Sequence, residues 1–375
     1  MATVEKLKLK PKISKSLKIT GIILTLLLCL FLFYTKQIHD LTKLGYSTKA
    51  SQKILFSFHK EDVMKIGENQ TVNAAFESDE FKEEYLEQYR KIQYVNHKRL
   101  IPHIHQLLEK GYSISDINII FAHGDDDAVE RFAKRDKIQY LEEFYIVPYA
   151  KLDNYDRYSA YADATGEDDE FTVLYVNLDL DKEDYVDAVH VSNFSTSMLV
   201  SKHRYLDEHF APNDLAAIDS SLASSDDLQA SRYAINAFRQ MSDAASQEGY
   251  GIVINSAFRS YQDQVDLCNL YLNTYGQNYV DKYVAKPGYS EHQTGLAFDI
   301  GSRTTNVFAN SKEYPWMLEN AHKYGFIQRY PEKYEAITGF RQETWHFRYV
   351  GVEIATYMYE HKISFEEYWA TFIDK

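Results

Sequence analysis

Two short segments near the C-terminus hold the histidines and carboxylates best spaced to act together. The first reads SEHQTGLAFD and ends at Asp299, and the second reads ETWH and ends at His346. A catalytic zinc ion takes three protein ligands, neutral imidazoles or carboxylates, and leaves one position for water. His292, Asp299 and His346 supply such a set. Glu343, three residues before His346, is close enough to face that water without being a fourth ligand.

The setting of these residues decides between a metal site and a packed core. Asp299 and His346 each lie in a short apolar segment, AFDI and WHFRYV. A charged side chain in such a strand is costly unless it is paired or metal-bound. The alternative is a core histidine pair with a buried salt bridge. All the groups taken together, with Gly295 relieving crowding beside His292, favour zinc.

The elements that must position these residues indicate an α+β domain. A helix is expected to begin at Ser224 or Ser225, with acids in its first turn, and to end before Gly249. Further elements are read from apolar patterning: strands over 251–256, 296–300 and 345–350, and helices over 261–275 and 316–324.

These segments resemble the zinc D-alanyl-D-alanine carboxypeptidases of the VanY-like group, which share the hedgehog/DD-peptidase fold. The family patterns S-x-H-x-x-G-x-A-x-D, E-x-W-H and S-x-x-R-S-Y-x-x-Q are all matched, the last from Ser256 to Gln264. The family segment L-V-N-K is matched except that Ser201 replaces the asparagine. The resemblance covers about residues 198–360 and implies a catalytic domain with a small antiparallel sheet over 198–375.

The resemblance also implies the roles of the site residues. His292, Asp299 and His346 would bind Zn²⁺, Glu343 would act as general base, and the substrate would contact the three polar residues Arg259, Gln264 and Ser290. Arg259 could hold the terminal carboxylate or the developing oxyanion, or could be an ordinary surface ion pair.

The activity implied is removal of the C-terminal D-alanine from peptidoglycan stem peptides. The scissile bond is D-Ala-D-Ala or the L,D-bond of a tetrapeptide. One alternative is an endopeptidase with the same fold, whose specificity would depend on the loops 276–289 and 302–315. The other is a non-catalytic module that binds the cell wall, against which the intact Glu343 argues.

The N-terminus predicts a membrane anchor. Ile19 to Thr35 is an uncharged run between Lys18 and Lys36, about 25 Å long as a helix and at the short end of a transmembrane span. Residues 1–34 hold six of the 41 basic and one of the 55 acidic residues, so residues 35–375 carry a net charge of −19. The lysines place residues 1–18 in the cytoplasm as a basic tail and the rest outside. The first 195 residues resemble the helical extensions of some Gram-positive members of the family, and this resemblance implies a Gram-positive-like surface. A cleaved signal peptide is the alternative, but no small-residue cleavage site follows the run.

The net negative charge of residues 35–375 excludes nucleic acid as a partner. Cys29 lies in the predicted anchor over 19–36, so it is not expected to pair with Cys268.

Between anchor and catalytic domain, residues 37–150 predict a helical extension with a weak internal repeat. The repeat pairs 44–68 with 110–134, each opening on Gly-Tyr-Ser, with the serine as helix N-cap. Residues 78–99 are expected to form a long charged helix. His103 and His105 are two positions apart, so they are expected to be structural and not metal ligands. Residues 151–197 are expected to be a linker with β-character around 171–176.

Overall fold

The computed structural model of the chain describes residues 15–138 and 141–374. Its contacts divide the chain into two compact units, Met1–Glu142 and Glu143–Lys375. The α+β class is confirmed, as are the helical N-terminal module and the apolar helix before it.

The N-terminal unit consists of helices and turns in its described part. Its helices are α1 (Lys15–Lys43), α2 (Thr48–Phe56), α3 (Lys60–Ile66), α4 (Gln70–Glu77), α5 (Leu86–Tyr89), α6 (Leu100–Glu109), α7 (Ile114–His123) and α8 (Asp126–Lys134), and α9 (Leu141–Tyr145) crosses the division. Helix α1 is long and apolar enough from Leu17 to Lys43 to cross a membrane. It continues past the predicted anchor, and Leu41 near its end is fully buried.

The two copies of the predicted repeat adopt the same local structure. Ser47 caps α2 by accepting from the backbone of Ala50, and Ser113 caps α7 in a capping box with Asp116. Each copy is a pair of short helices, α2–α3 or α7–α8. The long charged helix predicted over 78–99 is wrong, because most of that segment is turns and irregular backbone.

The C-terminal unit is built around a four-stranded antiparallel sheet. Its strands β5 (Ile252–Ser256), β6 (Ala297–Ser302), β8 (Glu343–Tyr349) and β7 (Phe326–Tyr330) lie in that order. Helix α12 (Arg232–Gln247) buries Ala234, Phe238, Met241 and Ala245 in a core with Phe298 and Phe347 of the sheet.

The remaining elements of this unit surround the sheet. They are α10 (Tyr155–Thr165), α11 (Asp169–Asn177), β1 (Val189–His190), β2 (Arg204–Tyr205), β3 (Leu215–Ala217), β4 (Gln229–Ser231), α13 (Tyr261–Tyr275), α14 (Gln277–Tyr283), α15 (Glu313–Asn320), α16 (Glu335–Thr338), α17 (Val352–His361) and α18 (Phe365–Phe372). Helix α13 starts and ends where the sequence predicts.

The segment predicted as a linker differs most from expectation. Residues 151–197 fold within the C-terminal unit, and the strand-like stretch 171–176 lies in α11. Asp168 caps that helix by accepting from the backbone N–H of Phe171. Leu174 and Leu178 then pack in one cluster with Phe365 of α18. Burial at helical spacing has overridden the β-propensity of this stretch.

Candidate active site

The sheet and one tight turn bring the three predicted metal ligands together. Asp299 on β6 and His346 on β8 are direct cross-strand partners. His292 lies in a 3₁₀ turn, Glu291–Thr294, that ends at Gly295 with φ of +67°. A Cβ on Gly295 would lie 3.1 Å from the backbone nitrogen of Ser231. Both the backbone conformation and the available space therefore require glycine there.

The ligand atoms of the three residues converge on one point. His292 Nε2 lies 3.4 Å from Asp299 Oδ1, and His346 Nδ1 lies 3.3 Å from the same oxygen. One ligand atom from each residue lies within 4.8 Å of the others. His292 Nδ1 is 2.7 Å from the carbonyl oxygen of Ala257, which directs Nε2 toward Asp299.

These separations fit a zinc ion. Bonds of about 2.0–2.2 Å in a tetrahedral site put ligand atoms about 3.3–3.6 Å apart. Asp299 Oδ1 is buried without a hydrogen-bond partner among the described residues, as expected of an oxygen reserved for a cation. Burial alone would raise the pKa of Asp299, but His292 and His346 hold it well below its usual range. Despite burial, Asp299, Glu291 and Glu343 raise the pKa of His346 to about 9, so a metal must displace its proton.

Glu343 is placed to act as a base. Its Oε2 lies 3.5 Å from His346 Nδ1, so it faces the same point as the ligands. Burial, with Asp299 and Glu291 nearby, raises the pKa of Glu343 to about 7 although His346 and Arg259 oppose the shift. A carboxylate that titrates near neutral pH is well matched to general acid–base work.

The three predicted substrate contacts line the same pocket as the metal ligands. Arg259 makes no ion pair within 4 Å in the described part of the chain, and its Nε is buried without a hydrogen-bond partner there. Gln264 donates through Nε2 to the carbonyl of Ala285 and leaves its buried Oε1 free. The hydroxyl of Ser290 accepts from the backbone of His292 at 3.4 Å. The surface ion pair considered for Arg259 is therefore wrong.

Sequence reasoning missed a buried carboxylate beneath the site. Glu291 Oε1 accepts from Arg329 Nε at 2.9 Å and from Arg348 Nη1 at 2.8 Å, and Oε2 lies 3.6 Å from His346 Nε2. Glu366 in α18 accepts two further bonds from Arg329. The apolar settings of Arg329 and Arg348, IQRY and HFRY, carried the same signal that identified Asp299.

A row of tyrosines along one wall of the pocket was also missed. Tyr271, Tyr279 and Tyr283 line it, and Tyr275 packs against two of them. Their spacing of four residues along 271–283 was visible in the sequence. We refer to the four as the tyrosine platform.

Comparisons with known proteins find similarity to carboxypeptidases. Residues 227–352 match the family model described as VanY, D-alanyl-D-alanine carboxypeptidase. Over 179 residues the chain is 38% identical to YodJ of Bacillus subtilis, covering 45% of this chain and 65% of YodJ. Over 135 residues it is 36% identical to a D-alanyl-D-alanine carboxypeptidase of Enterococcus faecalis, covering 34% of this chain and 50% of that protein. It thus spans less than two thirds of the length of either.

Among solved structures, that of LdcB, an LD-carboxypeptidase, is 34% identical with a TM-score of 0.46. The match covers 50% of this chain and 91% of that one. These proteins thus include one named as a D-alanyl-D-alanine carboxypeptidase and one named as an LD-carboxypeptidase.

Proposed function

The chain belongs to the VanY-like family of D-alanyl-D-alanine carboxypeptidases, and we propose that it is a zinc-dependent enzyme that removes the C-terminal D-alanine from peptidoglycan stem peptides. The observation that carries this is the convergence of His292, Asp299 and His346 at zinc-ligand separations. We place the D-Ala-D-Ala bond of the pentapeptide first and the L,D-bond of the tetrapeptide second.

The residues of the pocket divide the work of peptide hydrolysis. Zinc, when bound by the three ligands, supplies Lewis-acid polarisation of the scissile carbonyl and a more acidic attacking water. Glu343 accepts the proton of that water and returns it to the leaving amine. Its raised pKa suits both steps, since the same group must take and then release a proton.

Arg259 supports an exopeptidase over an endopeptidase. Its guanidinium has no ion pair in the described structure, and its side chain lies in the pocket with the metal ligands. Arg259 is half-buried, and a cation that forms no ion pair is stabilised when an anionic ligand binds beside it. The free carboxylate of a C-terminal D-alanine is such an anion, whereas an internal peptide bond offers none. The free Oε1 of Gln264 and the hydroxyl of Ser290 are further contacts for the substrate end.

The test is D-alanine release from synthetic penta- and tetrapeptides by the full-length protein, with zinc content measured in parallel. Removal of zinc by a chelator should abolish release, and stoichiometric zinc should restore it. The tetrapeptide and the pentapeptide report on the L,D- and D,D-bonds separately. Full activity in protein shown to be free of metal would contradict the proposal.

We place this activity outside the cytoplasmic membrane, on a single-pass anchor. The support is the lysine-rich N-terminus and α1, whose apolar side chains from Ile19 to Phe33 are exposed in the described structure. Protease added to wall-stripped cells should remove the C-terminal unit. Protection of that unit would contradict the topology, and a mature N-terminus after Tyr34 would contradict the anchor in favour of a signal peptide.

A further inference from the structure

The tyrosine platform forms one continuous aromatic surface that leads out of the catalytic pocket. Ring centroids are 5.8 Å apart for Tyr271 and Tyr275, 4.6 Å for Tyr275 and Tyr279, and 4.9 Å for Tyr279 and Tyr283. Tyr271 and Tyr279 also approach to 5.9 Å. The four rings therefore behave as one surface and not as isolated side chains.

A helical hairpin holds this surface in place. Helix α13 ends at Gly276, whose φ of +82° turns the chain directly into α14. Tyr275 and Tyr279 flank that turn, and Tyr271 and Tyr283 lie one helical turn further from it. Arg341 fixes Tyr283 by donating to its hydroxyl at 3.2 Å and by lying over its ring. Tyr271, Tyr279 and Tyr283 thus lie along the pocket, and Tyr275 extends the aromatic surface beyond the residues that line it.

Three of the four rings are exposed, although large aromatic side chains gain free energy from burial. Tyr275 is 58% exposed, Tyr283 is 40% exposed and Tyr279 is 36% exposed. A ring with an apolar body and a hydroxyl at its tip suits a ligand that has both apolar and polar surfaces. Pyranose rings are of this kind, since their C–H faces pack on aromatic rings while their hydroxyl and N-acetyl groups remain in water.

The length of α13 matches the distance between the scissile end of a stem peptide and its sugar. Gln264, in the pocket with Arg259, lies eleven residues before Tyr275, a rise of about 16 Å along a helix. Four or five extended stem residues span about 13–17 Å. A stem peptide whose C-terminus contacts Arg259 and that follows α13 outward would bring its sugar to Tyr275 and Tyr279.

We propose that the tyrosine platform, through Tyr275 and Tyr279, binds the amino sugar that carries the stem peptide, so that the enzyme favours glycan-linked stems over free peptides. This inference rests on the proposed function, because it takes the stem peptide as substrate. It adds a carbohydrate subsite outside the zinc and carboxylate-binding residues.

The test compares kcat/KM for D-alanine release from a free stem peptide and from the same peptide linked to its disaccharide, using the full-length protein in detergent. We expect a preference of up to about tenfold for the linked substrate, which corresponds to about 1.4 kcal/mol. Tyr275 does not line the catalytic pocket, so Tyr275→Ala should lose most of this preference and keep kcat/KM for the free peptide within about twofold of the wild type.

Two controls separate stacking from structural damage. Tyr275→Phe retains the ring and should retain the preference. Tyr233→Ala removes an exposed tyrosine on α12, 60% exposed, and should also retain it. Equal kcat/KM for the two substrates in the wild type would overturn the subsite, as would an equal loss on both substrates in the alanine variant.

If the proposed carboxypeptidase activity is wrong, the wild type releases D-alanine from neither substrate. Calorimetric titration with the two substrates then tests the platform directly. Tighter binding of the disaccharide-linked peptide that is lost in the alanine variant supports the subsite, and equal affinities overturn it.

Discussion

Replacing Glu291 by glutamine should weaken zinc binding and destabilise the C-terminal unit together. Glu291 is 2% exposed and belongs to a buried group of two acids and two arginines, with Glu366, Arg329 and Arg348. The substitution leaves one positive charge without a partner, and breaking such a pair costs about 3–5 kcal/mol. It also removes the carboxylate that faces His346 Nε2 at 3.6 Å. Loss of such a contact behind a metal ligand costs about 10–100-fold in affinity.

Glu366→Gln is the matched control for this prediction. Glu366 is equally buried and pairs with the same Arg329, so its loss leaves the same excess charge, but no contact joins it to His346 in the described structure. Both variants should lose similar free energy of unfolding in urea without metal. Only Glu291→Gln should lose zinc affinity, measured by competition with a chromophoric chelator. If Glu291→Gln does not fold, Glu291→Asp, which keeps the charge, takes its place in both measurements.

Wild-type zinc affinity in both glutamine variants would refute a role for Glu291 in zinc binding. Glu291 would then be a structural partner of the arginines and would not orient His346. A loss of zinc affinity of similar size in both would mean instead that the whole charged group acts through stability.

Three further predictions address the base, the cation and the N-terminal unit. Glu343→Gln should keep its zinc while kcat falls by about 10²–10⁴, and near-wild-type turnover by the zinc-loaded variant would contradict its role as base. Arg259→Lys keeps the charge but loses the planar fork. The kcat/KM for peptides with a free C-terminal carboxylate should therefore fall, while the slow reaction of peptides with a C-terminal amide changes little. Equal losses on the two kinds of peptide would argue for the oxyanion role of Arg259. Burial, with His97 and Arg99, lowers the pKa of His103 from 6.5 to about 4. Between pH 6.5 and about 4 the unfolded state therefore binds more protons than the folded state. The free energy of unfolding should fall by up to about 3 kcal/mol as the pH drops through this range. Hydrogen exchange in α6 should show a weaker pH dependence in His103→Leu.

The residues of the site were predictable because their chemistry and their setting agree. Asp299 and His346 are polar side chains in apolar strands, which is costly without a partner, and the strand pairing places them side by side. The apolar settings of Arg329 and Arg348 likewise indicate a buried charged group, which is the group around Glu291. No metal-ligand spacing distinguishes these two arginines in the sequence.

The errors in the fold have a common cause, which is that distant partners decide local structure. Backbone groups of the segment 78–99 are bonded by side chains far along the chain. Thr71 donates to the carbonyl of Ile92, and the N–H of Gln93 donates to Asn118. These bonds satisfy the backbone without a helix. Likewise, the helix expected from Ser224 or Ser225 begins only at Arg232, because Gln229–Ser231 pairs as a strand with Leu215–Ala217.

Mass spectrometry of purified muropeptides, digested with the zinc-loaded full-length protein, is the most direct test of the proposed carboxypeptidase activity. Pentapeptide or tetrapeptide stems should lose one alanine residue from the C-terminus, and Glu343→Gln should leave them unchanged. Cleavage only at internal bonds of the stem or cross-link, with no free D-alanine, would contradict a carboxypeptidase and identify an endopeptidase instead.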